Sequence, residues 1–393
     1  MPLKLDFISK QIESLAQATV AKSPTQDQFL RQAQAYLRSI NADALRQRLE
    51  WQRRQQDRFP WLVAIPYGSL SEVIPAPPTP TNFSVIGVDA SSMPPDRHSS
   101  VRFYVLNIGY AFLTYGQHSN AILDANSRFC FLDEDLYLFP EKRDVPIEGT
   151  LFNARMELEC LDALQEVIHS PPSLPTAALR DGPLILWALQ NESQTVQEKL
   201  LHGFLAAMAC LREEGIPLAG YISYTDSRDV ANSLRVWICK ERPNECEHCS
   251  SSERDLCLAL AKIRDRDLFN FLATGERSAL FGSSSQILER YGEHRVDFFY
   301  LNVGGEIVRV EVPHWVSTDA ALLDLLHAIL YDQCQRSPGF PPYPPALLEA
   351  HEQAVITTAE RRLIEEMVER ALGLHGQLVT RSAKDDSKRR RGV

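Results

Sequence analysis

The chain has 393 residues, 44% of them hydrophobic, enough for one large core with appendages or for two domains. Acidic residues outnumber basic ones by 51 to 41, a formal charge of −10; this speaks against strong solitary nucleic-acid binding, which leans on phosphate contacts, but leaves room for basic patches, metal ions or a partner that delivers the polymer. No apolar run approaches about 18 residues, so no transmembrane helix and no membrane partner are expected; the opening Met1–Asp6 lacks the apolar stretch of a signal peptide, and a soluble cytoplasmic protein is the expectation.

Residues 1–73 read as an N-terminal helical extension. Ile8, Ile12, Leu15 and Ala16 recur at helical spacing, and a second helical stretch from about Gln26 to Arg54 ends in a basic run of Arg46, Arg48, Arg53, Arg54 and Arg58. That run is either a solvated helix face or a contact for DNA or a partner. A Pro-rich connector, Ile74 to Thr81, leads into Phe83-Ser-Val-Ile-Gly-Val-Asp89-Ala90-Ser91, read as a buried strand ending in an acid and a turn. Further strands are predicted over Val101–Leu113 and Asn126–Phe139.

A helix is predicted from Thr150 to about His169, with Leu158, Leu161, Leu164 and Ile168 on one face. Ala177-Ala-Leu-Arg-Asp181-Gly182-Pro183 repeats the pattern of strand then acid. A helix from Glu192 to Glu214 and a strand from Leu218 follow. Arg295–Val312 reads as a hairpin around Gly304-Gly305, Asp319–Gln335 as a helix, and Ala346–Leu372 as one long helix. Lys384–Val393 is a charged tail. Alternating strands and helices indicate an α/β fold with a mixed sheet covered by helices.

Asp89 and Asp181 are the candidate metal ligands, because carboxylates fixed at strand ends suit a hard divalent cation that activates water on a phosphodiester. The helix between them carries Glu157 and Glu159. Glu157 shares the face of Leu161, Leu164 and Ile168, whereas Glu159 shares that of Asp162, Ala163 and Glu166. A buried acid is costly unless paired or metal-bound, so Glu157 is the third candidate and Glu159 the fallback. An Asp after a strand also commonly caps a turn, so spacing alone stops at an α/β protein with candidate metal-binding acids.

Cys239, Cys246, Cys249 and Cys257 lie within 19 residues. They form a plausible structural Zn²⁺ site, with an Fe–S cluster or free thiols in an insertion as the other readings.

Several of these segments, in order, resemble the motifs of the NurA family of DNA-repair nucleases. Phe83–Ser91 is similar to its first motif, a strand ending in Asp-Gly-Ser. Arg155-Met-Glu157-Leu-Glu159 is similar to its helical glutamate motif, and Leu179-Arg-Asp181-Gly182-Pro183-Leu184 to its next strand motif. Ala219-Gly220-Tyr-Ile-Ser223 and Tyr343-Pro344-Pro-Ala-Leu347-Leu-Glu-Ala350-His351 resemble the remaining two. The resemblance implies an RNase-H-like domain over 83–372; the Cys-containing insertion at about 239–257 lies outside the matched motifs, and residues 373–393 read as a flexible charged tail. The resemblance also implies Mn²⁺- or Mg²⁺-dependent cleavage of DNA in double-strand-break repair, a homodimer, and a hexameric HerA-type ATPase as partner. Asp89, Glu157 and Asp181 become implied metal ligands, His351 a further ligand or proton-transfer group, and Tyr343 a site residue. Two departures stand out. Ala90 replaces the usual Gly, which matters if that position needs φ > 0, and Ser223 stands where many members carry a basic residue. Both, with the acidic balance, motivate the alternative of a catalytically silent scaffold or binding protein; another phosphoesterase on the same fold is a third reading.

Overall fold

The computed structural model describes residues 4–55, 61–96, 99–168, 174–239, 249, 252–377 and 379. Arg58, Cys246 and the 384–393 tail therefore lie outside the described residues. Two compact units form, each discontinuous in sequence: Met1–Pro75 with Ser223–Ser285 and Phe298–Arg309, and Ala76–Ile222 with Gln286–Asp297 and Val310–Val393. The linear division at residues 73 and 83 thus gives way to one in which later segments fold with the N-terminal helices.

In the first unit the helices Leu5–Ser39 and Ala42–Gln55 accompany Asp229–Ile238 and Arg254–Leu260. Their apolar faces meet in a core that includes Leu37, Leu45, Leu234, Phe269, Phe281 and Tyr300. The basic run is partly consumed by structure. Arg46 donates to the carbonyls of Pro66 and Tyr67, Arg48 donates to Cys239 O at 2.5 Å, and Arg54 lies 3.8 Å from Glu50.

The second unit contains five neighbouring strands of a mixed sheet. They are β1 (Phe83–Met93), β2 (Tyr104–Tyr115), β3 (Asn120–Cys130), β4 (Thr176–Asp181) and β5 (Leu218–Ile222), in the order β3-β2-β1-β4-β5. The first three are antiparallel and the last two run parallel to β1. β1 reads as a nearly unbroken apolar run because it is central and covered on both faces. Helices α1 (Gly149–Val167) and α2 (Gln194–Glu213) pack together, and α1 lies against β1 and β2. Helix α3 (Ala320–Gln335) is capped by Asp319, which accepts from the backbone N–H groups of Ala321 and Leu322.

Two further readings change. β1 does not turn after Asp89: it continues to Met93, because β2 pairs with it along its whole length. The expected long C-terminal helix is two, α4 (Pro345–Ala354) and α5 (Thr358–Leu374). Thr357 and Glu360 form a reciprocal capping box that restarts the helix; that Thr-x-x-Glu signal was present in the sequence. The two strands expected around Gly304-Gly305 are present, at Val296–Asn302 and Ile307–Pro313. Among the described residues no helix is long and apolar enough to cross a membrane.

Candidate active site

The site is set by the register of two parallel strands. Val88 pairs with Arg180, so Asp89 and Asp181 follow side by side, on strands that neighbour each other at about 4.8 Å. Strand alternation turns both aspartates to the face opposite Val88 and Arg180. That face also carries Gly87 and, through the pairing of Asp89 with Gly109, a second glycine on β2.

These two glycines let α4 approach. A Cβ on Gly87 would lie 2.2 Å from Ala346 O, and one on Gly109 would lie 2.2 Å from Ala350 O. Side chains of ordinary size would hold the helix off the sheet. With α4 seated, Asn107 donates to the carbonyls of Gln353 and Ala354 at 2.9 and 2.8 Å, satisfying backbone groups orphaned at the helix end. His351 then brings Nδ1 to 2.6 Å from Asp89 Oδ2. The segment leading into α4 places the Tyr343 hydroxyl in hydrogen bond with Asp181, its ring edge-on to Tyr221 at 5.2 Å. Four of the five expected residues are thus gathered: Asp89, Asp181, His351 and Tyr343.

Asp181 lies at the exposed end of β4, but its carboxyl is crowded. Burial raises its pKa, the Tyr343 hydrogen bond opposes this, and Asp89 raises it further. Burial, then the neighbouring Asp181, keeps the Tyr343 hydroxyl protonated throughout the ordinary pH range. The turn after Asp181 is tightly specified. Gly182 adopts φ +102 and donates to Tyr221 O at 2.9 Å. Buried Glu311 accepts from Leu184 N at 2.8 Å, and the Tyr291 hydroxyl accepts from Leu186 N at 2.8 Å.

Glu157 is held elsewhere. It forms an ion pair with Arg180, which is almost fully buried and points to the other face of the sheet. Burial lowers the pKa of that guanidinium to about 10, and the charges of Asp181 and then Asp89 oppose the shift. Glu159 is also not on the solvated face that its helical phase predicts. Although it shares its stripe with Asp162 and Glu166, Glu159 is buried at 7% exposure. Arg128 from β3 and Arg155, at 2.7 Å, neutralise it there. The periodicity identified the leucine face of α1 but could not reveal that β3 covers the flank beside it.

Ala90 presents no backbone conflict. It lies in extended β1, paired with Ile108, and is not among the residues with positive φ; its N–H donates to Asp89 Oδ1 at 2.7 Å. Ser223 is exposed, with Oγ 3.4 Å from Glu306. Of the cysteines, Cys239, Cys249 and Cys257 are half-buried.

The donor types fit a hard divalent cation. Two adjacent carboxylates, one with its pKa raised by burial and by the other, form a charge imbalance that a cation relieves. The fit stops at those two: among the described residues no three His, Cys, Asp or Glu side chains form a ready cluster for an ion.

Sequence reasoning missed Arg180, Gly87 and Gly109. An arginine inside the apolar Ala-Ala-Leu-Arg-Asp strand was a legible signal, since a buried cation requires a partner. The glycines carried only the general hint that a strand glycine marks close backbone approach.

A search of curated proteins finds no match. Among solved structures the chain is similar to the NurA nuclease from Sulfolobus solfataricus, at 14% identity over 95% of this chain and 96% of that one, with a TM-score of 0.47. It is also similar to NurA with manganese, at 11% identity over 76% and 91% with a TM-score of 0.36, and to NurA bound to dAMP and manganese, at 13% identity over 74% and 88% with a TM-score of 0.32. The family model described as the NurA domain matches residues 83–356, more than two-thirds of the chain and every strand and side chain of this site, and the chain belongs to the NurA-domain family.

Proposed function

We propose that the chain is a metal-dependent nuclease that hydrolyses DNA phosphodiesters in end processing during double-strand-break repair. The observation that carries this reading is the convergence of Asp89, Asp181, His351 and Tyr343 at one face of the sheet, within the family match. We read the strand order β3-β2-β1-β4-β5 as the RNase-H-like core.

Asp89 and Asp181 are the residues that would hold Mn²⁺ or Mg²⁺. When bound, the ion supplies Lewis acidity toward water and the leaving oxygen. Tyr343, kept protonated, donates to Asp181 and orients its carboxylate. His351, held at Nδ1 by Asp89 and with a side chain 56% exposed, is placed to exchange protons with solvent. Glu157 and Arg180 neutralise each other behind the site and fix the end of β4; Glu157 is a ligand only if that pair opens. DNA, a second copy of the chain and a HerA-type ATPase are the partners of this reading, and a ring that feeds DNA makes a net charge of −10 tolerable. We keep the Cys239, Cys246, Cys249 and Cys257 cluster as a structural Zn²⁺ or Fe–S proposal, which elemental analysis of purified protein tests.

One observation favours the second reading, a catalytically silent scaffold: the described residues assemble two acidic ligands, with Glu157 committed to Arg180. A nuclease assay on single- and double-stranded DNA with Mn²⁺, Mg²⁺ or EDTA separates the two. Cleavage that needs metal and is lost in Asp181→Asn establishes the nuclease; no cleavage under any condition establishes the scaffold.

A further inference from the structure

Tyr224 is built as an exposed, rigidly backed ring. It is 71% exposed, yet its backbone sits at φ +47, a region that bulky side chains avoid. Three groups hold it there. Glu306 accepts the Tyr224 N–H. Arg266 donates to Tyr224 O at 2.7 Å and to Thr225 O at 3.2 Å. The same guanidinium lies 3.6 Å from the centroid of the Tyr224 ring. The Arg266 side chain is only 10% exposed and is oriented by Asp226 at 3.6 Å, which also binds Arg264 at 3.0 Å. One face of the ring is therefore covered by a fixed cation while most of the side chain faces solvent. All these residues belong to the first compact unit.

Core packing does not account for this arrangement, since the ring buries little surface. Strain held in place by surrounding contacts points to use of the displayed group. A flat, exposed aromatic backed by arginine is suited to stacking on an unpaired base, and exposed Arg228 lies nearby in the chain as a further positive charge. Resting on the nuclease reading above, we propose that Tyr224 is a stacking platform for an unpaired nucleobase of single-stranded DNA, with Arg266 as its positioning residue. A paired duplex offers no such base, so this contact favours single-stranded or frayed ends.

The test is binding by the full chain in EDTA, where cleavage does not interfere, read by fluorescence anisotropy of a labelled oligothymidylate and of an abasic strand of equal length. Tyr224→Gly should weaken oligothymidylate binding about 5- to 150-fold, the range of one aromatic–base stack. Tyr224→Phe should bind within about twofold of the native chain, because the stacking face is kept. Abasic-strand binding should be equal in all three. Glycine adopts φ +47 freely, so Tyr224→Gly should melt no lower than the native chain, and lost binding is then not lost folding. Unchanged oligothymidylate binding in Tyr224→Gly overturns the proposal, as does an equal loss on the abasic strand or no binding by the native chain. Because binding is read without metal, a failed cleavage assay at Asp181 leaves this result independently interpretable.

Discussion

Each of the two units contains an aspartate bonded to a tyrosine hydroxyl, and the two pairs differ in what else the carboxylate receives. Asp265 is fully buried. It accepts from Tyr300 Oη at 2.6 Å, Ser227 Oγ at 3.1 Å, Val230 N at 3.0 Å and Ala231 N at 2.9 Å. It thereby satisfies the first N–H groups of the helix Asp229–Ile238 from a distant point in the chain. Asp181 lies at an open strand end with Tyr343 as its donor and Asp89 as a like-charged neighbour. Burial raises both carboxyls above the ordinary range. A raised carboxyl therefore does not by itself mark a site. A saturated carboxylate is architecture, whereas one left short of donors beside a second acid has capacity for a cation.

Four substitutions and one addition can break that contrast. The largest effect is expected at the open pair. Asp181→Asn or Asp89→Asn should lower the cleavage rate by about a hundredfold to a thousandfold, the value of several kcal/mol of transition-state stabilisation, with little loss of folding by thermal melting. Asp265→Ala should show the reverse. It strands the N–H groups of Val230 and Ala231, while the Tyr300 hydroxyl keeps Ser227 Oγ at 2.9 Å, and should cost about 3 kcal/mol in urea unfolding, at about 1–3 kcal/mol for each buried group left unpaired.

Gly87→Ala tests whether close approach of α4 assembles the site. A methyl group 2.2 Å from Ala346 O forces the helix outward. The expected cost is about 1–3 kcal/mol, with a drop in cleavage from displacement of His351 and Tyr343. A variant that loses stability but keeps full activity would separate the glycines from the site.

The smallest effect is electrostatic. Because the pKa of Asp181 is raised, the folded chain holds that proton more readily than the unfolded chain. Its contribution to stability therefore falls as pH rises from the ordinary aspartate value through the raised one, and stays unfavourable above it. At neutral pH in EDTA, Asp181→Asn should melt slightly above the native chain. Adding Mn²⁺ should raise the melting temperature of the native chain and leave that of Asp181→Asn nearly unchanged.

Much of this was legible locally. Apolar runs ending in Asp89 and Asp181 marked the two strands, leucine spacing marked α1, and Pro344-Pro345 marked the start of α4. The order of motifs indicated that His351 and Tyr343 belong with the two aspartates. The sequence also held signals passed over, such as the Thr357–Glu360 capping box and the arginine buried beside Asp181.

Other features were decided only by tertiary structure. That Glu159 is buried between two arginines, and Glu157 is spent on Arg180, depends on which strand covers each flank of α1. Helical phase reports only which residues share a stripe. Whether Ala90 is strained depended on β1 continuing past Asp89, which β2 enforces through pairing. The compact units could not be read from linear order, because burial joins residues by contact rather than by succession. The sequence by itself determined which side chains carry charge and where strands and helices begin. The fold decided which of those charges are answered by neighbours and which are left for a ligand, because that depends on donors brought from far along the chain.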